Sequence, residues 1–484
     1  MNFFKKKVSL VLFIGVFLFA IAYSTLSLVR HAHFQSGGFD LGIYDQAVWQ
    51  YSHFLFPFNS IKDKIIFGDH LTLTLPLLAP LYWIWDDVRT LLIFQAFWIS
   101  FSSVAIFLYL KKRNFTEFQS GVLAFLYLTF YGVQFGVFFD FHPSVIGFGL
   151  LAWILYFWES KSWKFFTTAV VLLLLTQENM GIALFGLCVI WFFQKKHLKL
   201  VFVLSAISII FTAIAFYAIN SISAGGYEYK AQLPANVFQF VSQLFDDEQK
   251  RQVWLYSFSW FSFLPLFSPG ALLAIIIDNA QYFVTGEQFN RMWSPFTHHR
   301  LVLDTFLLVG TADVLLLIRK KIKKTYITCL LVLMLIIALF LQHQFHFALS
   351  KLSKSDFWTV ETWINDDNVI LSKIPKAASV AAQQSLVPHL SHRENIYLIY
   401  PQKRVFRNDI CGKKDCWWLE FAGNPEFLVV DVHSGVWLTM LLEYENNFRQ
   451  ALANMEKSGV IQLIHKQGEA RLYKINNNIL KNLN

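Results

Sequence analysis

The feature that most constrains this chain is a recurrence of apolar runs long enough to cross a bilayer, separated by short polar segments of which alternate ones are rich in lysine and arginine. A spanning helix needs about 20 mostly apolar residues, because each residue rises 1.5 Å through a hydrocarbon core roughly 30 Å thick. Runs of this kind lie near 8–28, 90–110, 118–138, 144–158, 164–177, 180–193, 199–219, 253–267, 271–284, 301–318 and 325–347. The adjoining pairs 164–177/180–193 and 253–267/271–284 are read as two spans each, because Thr176-Gln-Glu-Asn179 and Ser268-Pro-Gly270 are turn sequences. The expected fold is therefore mainly α, a polytopic membrane bundle of about eleven transmembrane helices. Ala20-Ile21-Ala22 has the small-residue pattern of a signal-peptidase site, but the apolar run continues to Val29, and an uncleaved signal-anchor is expected.

Direction follows from the basic residues, which are retained on the cytoplasmic side. With a cytoplasmic N-terminus, the clusters Lys5–Lys7, Lys111–Arg113, Lys161 with Lys164, Lys195, Lys196 and Lys199, and Arg319–Lys324 all fall on one side, 16 Lys and Arg in all. The stretch 71–86 is apolar but short and has two prolines; as a span it would invert every later cluster. It is expected to be re-entrant or interfacial within a first outer loop, 29–89, with Trp83 and Trp85 at headgroup level.

Charge is unevenly spread. Residues 1–350 hold 43 Asp, Glu, Lys and Arg, and the last 134 hold 30, which separates a transmembrane domain, 1–350, from an extracytoplasmic domain, 351–484. The formal charge of +9 sits in the clusters between apolar runs, and the tail is only slightly basic, 16 against 14. No soluble face interleaves basic and aromatic residues, so no nucleic-acid partner is expected; the partner is membrane lipid. In the tail, Ala378–Gln383, Ile396–Ile399, Phe427–Val432 and Val460–His465 read as strands. Glu443–Lys457 reads as an amphipathic helix ending at Gly459, which gives a small α/β domain. It has no Gly-x-Gly-x-x-Gly. Cys411 and Cys416 bracket a short loop and form either a disulfide in an oxidising compartment, two thiols or half of a metal site.

Ionisable residues are expensive inside a bilayer, so those retained usually face a cavity or a partner. Here they gather at the outer ends of the spans: Asp40 and Asp45 after the first, Asp69 and His70 before the 71–86 stretch, Asp140 and His142 after the third, and Glu178 in the fifth-to-sixth turn. Asp278 lies in the ninth, and His298, His299 and Arg300 open the tenth. One outward-facing aqueous cavity lined by these groups is the simplest arrangement. A lone interfacial aspartate is also a common helix cap, and Asp40 and Asp45 would not share a face of a helix.

The segment Phe39-Asp-Leu-Gly-Ile-Tyr-Asp-Gln-Ala-Val-Trp49 resembles the opening signature of a family of prokaryotic membrane proteins, domain of unknown function 2079. So do Gly68-Asp-His70, Ala79-Pro-Leu-Tyr82, Phe139-Asp-Phe-His-Pro143 and Gln177-Glu178. In the tail, Leu386-Val-Pro-His-Leu-Ser-His-Arg393, Asn395-Ile-Tyr397 and Phe427-Leu-Val-Val-Asp431 are similar too. That family resembles the C-type (GT-C) membrane glycosyltransferases, which take a sugar from a polyprenyl-phosphate donor at the outer face of the membrane and use an acid in a long first outer loop. The adjacent Asp-Glu pair of several such transferases is absent from this first loop. The resemblance implies a lipid-linked sugar donor and Asp40 as general base. It also implies acceptor or metal positioning by Asp140 and His142, and donor phosphate binding by His299 and Arg300, with Asp45, Asp69, His70 and Glu178 as further substrate-binding candidates. A divalent cation would be held by Asp40, Asp140 and His142. A transporter would use the same acids along a polar path, and an envelope-assembly protein would leave them dispensable.

Overall fold

The computed structural model describes residues 2–223, 225–229, 232, 234–412, 414, 416–433 and 445–476. The chain divides into two compact units. One comprises Met1–Leu28, Phe67–Thr74 and Leu92–Phe357; the other comprises Val29–Ile66, Leu75–Leu91 and Trp358–Asn484. The second unit thus draws on two stretches of the expected outer loop as well as on the tail.

Each of the apolar runs coincides with helix for most of its length. Among the described residues, five helices are long and apolar enough to cross a membrane: Leu12–Ala32, Arg89–Lys112, Leu198–Ile222, His298–Ile318 and Lys324–Phe345. A sixth arises if Glu117–Thr129 and Tyr131–Phe139, bent by 44°, count as one. The run 118–138 was expected to be continuous; it breaks because Phe130 leaves helical geometry (φ −53°, ψ 137°). Gln134 repairs the break, donating to the Thr129 carbonyl at 2.6 Å and to Gln342 Oε1 at 2.6 Å. Ser144–Ser160, Trp163–Leu174 and Met180–Phe193 are apolar but shorter. Ala79–Ile84 is a six-residue helix, too short to cross.

At one end of the first unit the charges neutralise one another. Arg113 reaches Asp313 at 2.7 Å and Glu159 at 3.9 Å, Lys196 pairs with Glu159, and Gln194 donates to both Asp313 oxygens at 3.0 Å. These residues lie at or just beyond the C-terminal ends of Arg89–Lys112, Ser144–Ser160, Met180–Phe193 and Leu301–Ile318, so the four ends share a side. They are the ends that the basic clusters assign to a common side.

The second unit is built on a six-stranded mixed sheet. A two-residue ladder, β1 (Phe58–Asn59) with β2 (Lys64–Ile65), precedes it; the sheet strands are β3 (Val380–Ala382), β4 (Ile396–Phe406), β5 (Trp417–Phe421), β6 (Phe427–Asp431), β7 (Ile461–Gln467) and β8 (Ala470–Ile475). Their order is β5-β4-β3-β6-β8-β7, with β3 parallel to both neighbours and the other pairings antiparallel. Helix Glu445–Lys457 lays Phe448, Leu452 and Met455 against Val430, Ile461 and Tyr473, all buried, and ends at Gly459 (φ 73°). The first two residues of the expected helix, 443 and 444, lie outside the described residues. β5 and β8 are strands beyond the four read from sequence. Cys411 and Cys416 form a disulfide.

The loop segment 38–46 is a dock for the tail. The Gly38 N–H donates to the Gln384 carbonyl at 2.8 Å, and a Cβ at Gly38 would lie 3.0 Å from Val387. Gln46 donates to Ser60 Oγ at 2.8 Å and to the Arg393 and Glu394 carbonyls at 3.1 Å. Ser60 in turn both donates to and accepts from the backbone of Ile396 at the head of β4.

Candidate functional site

At the end of the first unit away from the Arg113 network, short turns between helices carry polar residues inward. Glu178, in the turn after Trp163–Leu174, is buried. Its Oε1 pairs with His70 Nδ1 at 2.7 Å and its Oε2 accepts from the Leu71 N–H at 3.2 Å. The neighbouring Asn179 donates to the Tyr282 hydroxyl at 3.3 Å, and Tyr282 meets the His299 ring edge-on, 4.8 Å between centroids. His70 is within electrostatic reach of His298 and His299. His142 stacks on His298 at 3.5 Å and 15°. His70, His142, Glu178, His299 and Arg300 therefore belong to one constellation, with Asp69 buried beside His70.

Arg300 is its most enclosed member, with 0% exposure. Its guanidinium lies over the Tyr282 ring at 4.9 Å and donates to Asn279 Oδ1 at 2.8 Å and to the Met292 carbonyl. Both acceptors are neutral. Among the described residues, Arg300 Nε, Asn279 Nδ2 and His298 Nδ1 have no hydrogen-bond partner. Buried polar groups are nearly always satisfied. The buried Asp278 carboxyl lies within electrostatic reach of Arg300, and the donor left over beside the Asn279 and His298 nitrogens is a feature suited to an anion. Gly132 permits this packing, since a Cβ there would lie 2.6 Å from the Arg300 carbonyl oxygen.

Asp140 ends helix Tyr131–Phe139 with φ 151° and ψ 178°, a conformation that is essentially glycine's. Its carbonyl accepts from His142 Nδ1 at 3.4 Å, and Pro143 then starts the helix Ser144–Ser160. The strained residue thus sets the approach of the His142 ring to His298. Strain of order 1–3 kcal/mol persists where the surroundings over-determine it, commonly at functional sites.

Asp40 and Asp45 belong to the second unit. Asp40 is half-buried in the short turn Gly38–Gly42. Asp45, in the first turn of helix Ile43–Ser52, has 0% exposure and accepts from the Tyr82 and Ser391 hydroxyls. His392 Nε2 lies 3.1 Å from Asp45 Oδ2, and its Nδ1 lies 2.9 Å from Asp86. Burial alone would depress the His392 imidazole; the Asp45 charge and hydrogen bond, with Asp86 and Asp87, outweigh it and hold the group above its ordinary value. Asp45 is thus a saturated clamp between loop and tail.

The cation expected at Asp40, Asp140 and His142 is not matched by a ligand set. Among the described residues no three His, Cys, Asp or Glu side chains group as metal ligands, and His142 Nδ1 is directed to a carbonyl. Sequence reasoning missed Asn279, Tyr282 and Asp304. Asp278-Asn279 interrupts an apolar helix and was a legible signal, and so was Asp304 within the tenth apolar run; Tyr282 carries none, since tyrosines are frequent throughout.

In fold the chain is similar to ArnT from Cupriavidus metallidurans in the apo state, with a TM-score of 0.52 over 98% of this chain and 99% of that chain at 13% identity. The likeness is one of fold, an ArnT-like arrangement with several apolar helices. The chain belongs to the family described as "Predicted membrane protein (DUF2079)", whose model matches residues 30–427. Among curated proteins none matches it significantly.

Proposed function

We propose that this protein is a membrane glycosyltransferase that moves a sugar from a polyprenyl-phosphate donor to an acceptor at the outer face of the cytoplasmic membrane. In this reading about eleven helices cross the bilayer, the N-terminus is cytoplasmic and the region 351–484 is an extracytoplasmic domain. The observation that carries the proposal is the enclosed Arg300 with an unspent Nε–H, beside Asn279 and His298, in a chain of GT-C-like fold. A lipid phosphate is the anion that such a site, at one end of an apolar helical unit, is suited to hold. Arg300 and His299 bind the donor phosphate, and Asp140 and His142 position the acceptor. Asp69 and Glu178 orient His70. Asp40 is proposed as the general base, taking the acceptor's proton as the anomeric carbon is attacked. The Cys411–Cys416 disulfide supports an oxidising compartment for the tail.

The test compares a deletion strain with its parent and with strains carrying Arg300→Leu or Asp40→Asn. Loss of an envelope glycan, with accumulation of a lipid-linked sugar and normal protein abundance, is expected in each. An unchanged glycan profile in the deletion strain overturns the proposal.

One observation favours a transporter. Asp304 has 0% exposure within the span His298–Ile318, and among the described residues neither carboxyl oxygen has a hydrogen-bond partner. Intramembrane acids of this kind mark proton and ion paths. Asp304→Asn separates the readings: the transferase tolerates it, and a proton-coupled carrier does not.

A further inference from the structure

An anion accounts for only half of the hydrogen-bonding capacity gathered beside Arg300. On helix Pro269–Phe283, Asp278, Asn279 and Tyr282 follow one another at i, i+1 and i+4, which puts them within about 100° of one another around the helix axis. Contacts bind this face to its neighbours. Asn279 Oδ1 accepts from Arg300 at 2.8 Å, the guanidinium lies over the Tyr282 ring at 4.9 Å, and Asn179 donates to the Tyr282 hydroxyl at 3.3 Å. Asp278 Oδ1 accepts from Gln281 at 3.0 Å. Among the described residues, the buried groups of this face without a hydrogen-bond partner are of both kinds. Asp278 Oδ2 and Asn179 Oδ1 are acceptors, whereas Asn279 Nδ2 and Arg300 Nε are donors.

Buried polar groups are nearly always satisfied, so this mixture describes the chemistry of a ligand that fits. A phosphate answers the donors and is repelled by the two acceptor oxygens. A cation answers the acceptors and strands Asn279 Nδ2. A hydroxyl both donates and accepts, and a ligand carrying several of them answers the whole set.

We infer that Asn179, Asp278 and Asn279 form the subsite for the sugar of the lipid-linked donor, a placement that rests on the reading of Arg300 as a phosphate ligand. The sugar hydroxyls donate to Asp278 Oδ2 and Asn179 Oδ1, and one accepts from Asn279 Nδ2. The hydrogen bond between Arg300 and Asn279 makes the phosphate and sugar subsites adjoin, as two groups joined by one ester bond require. Asp278 also sets a specificity, because a buried carboxyl repels a sugar that carries an acidic substituent of its own. The sugar class is therefore a polyhydroxylated one without a carboxylate.

The experiment titrates purified full-length protein in detergent with two probes. One is the lipid-linked sugar extracted from the deletion strain, and the other is a short-chain polyprenyl monophosphate without sugar. Wild type, Asp278→Asn, Asn179→Ala and Arg300→Leu are compared, and thermal melts verify that each is folded. Asp278→Asn preserves the side-chain shape, and Asn179→Ala acts from a different element, so either can decide if the other fails to fold. Each should bind the sugar-bearing lipid roughly tenfold more weakly, the worth of one buried hydrogen bond, yet hold the bare monophosphate no less tightly than the wild type. Arg300→Leu should weaken both probes. Parallel losses for the two probes in Asp278→Asn and Asn179→Ala indicate a merely structural role and overturn the inference. Unchanged binding of the sugar-bearing lipid in both variants overturns it too, since water then suffices for these groups. A wild type that does not bind the monophosphate, or binding untouched by Arg300→Leu, overturns the phosphate reading and the inference with it. A deletion strain that accumulates no lipid-linked sugar removes the transferase reading itself.

Discussion

Asp45 and Arg300 are both ionisable residues with no exposure, and the two units of the molecule treat them in opposite ways. Asp45 is answered completely, by two hydroxyls and a histidine that a second aspartate also holds. Arg300 is answered by an amide oxygen and a carbonyl, and one of its N–H groups is left over. A charge satisfied on every side serves the fold, because removing any partner leaves an uncompensated ion behind. A charge with unspent hydrogen-bonding capacity is a poor structural element and a good ligand. From the comparison we propose a stabilising role for the motif around Asp45 and a binding role for the cluster around Arg300.

The sharpest way to break that assignment is Arg300→Leu. A roughly 10²–10³-fold loss of sugar transfer is expected, as for removal of a charge-stabilising donor, with melting temperature and abundance near wild type. A protein that instead fails to accumulate would make Arg300 structural. Asp45→Ala should do the reverse, costing about 3–5 kcal/mol by stranding His392, read as loss of abundance and a lowered melt in detergent. Gly132→Ala tests whether the first unit is packed to hold Arg300. Its Cβ would meet the Arg300 carbonyl oxygen at 2.6 Å, and overpacking of this kind costs about 1–3 kcal/mol.

Two smaller effects depend on pH. Because the His392 value is raised in the folded chain, its stabilisation is fully present below the ordinary histidine value of 6.5 and is lost as pH rises through the folded value. The wild-type melting temperature should fall over that alkaline-side window, and His392→Gln should flatten the curve. In the same unit, Asp367 is buried beside Asp431 and Asp366; burial, then these charges, raises its carboxyl well above the usual range. The unfolded chain ionises first, so stability is lost as pH climbs from the ordinary aspartate value toward the folded one. Asp367→Asn should then raise the melt at neutral pH by the equivalent of about 1 kcal/mol, and a lowered melt would show that the ionised form is stabilised instead.

Much of the helical framework was legible because apolar length and turn residues are local signals. The turns at Thr176–Asn179 and Ser268–Gly270 separate helices as their sequences imply, the latter with Pro269 at a helix start. The helix 445–457 and its stop at Gly459 follow from spacing and from one residue that tolerates positive φ. The break at Phe130 was not legible, because the residue that repairs it, Gln134, works with Gln342, more than two hundred positions away. β8 was passed over, although it pairs with β7 across the tight turn at Gly468.

The candidate site divides along the same line. That Glu178, His70, His142, His299 and Arg300 sit at span ends is written in the sequence, because ionisable groups are driven out of hydrocarbon whatever the fold. Composition and periodicity by themselves determined a membrane-spanning, mainly helical chain with a sheet-bearing tail. Only the tertiary structure decided that Asp45 is saturated, that Arg300 keeps a donor in hand, and that Glu178 commits one nitrogen of His70. Those facts depend on partners brought together from distant positions, and hydrogen-bond satisfaction is a property of three-dimensional neighbours rather than of neighbours along the chain.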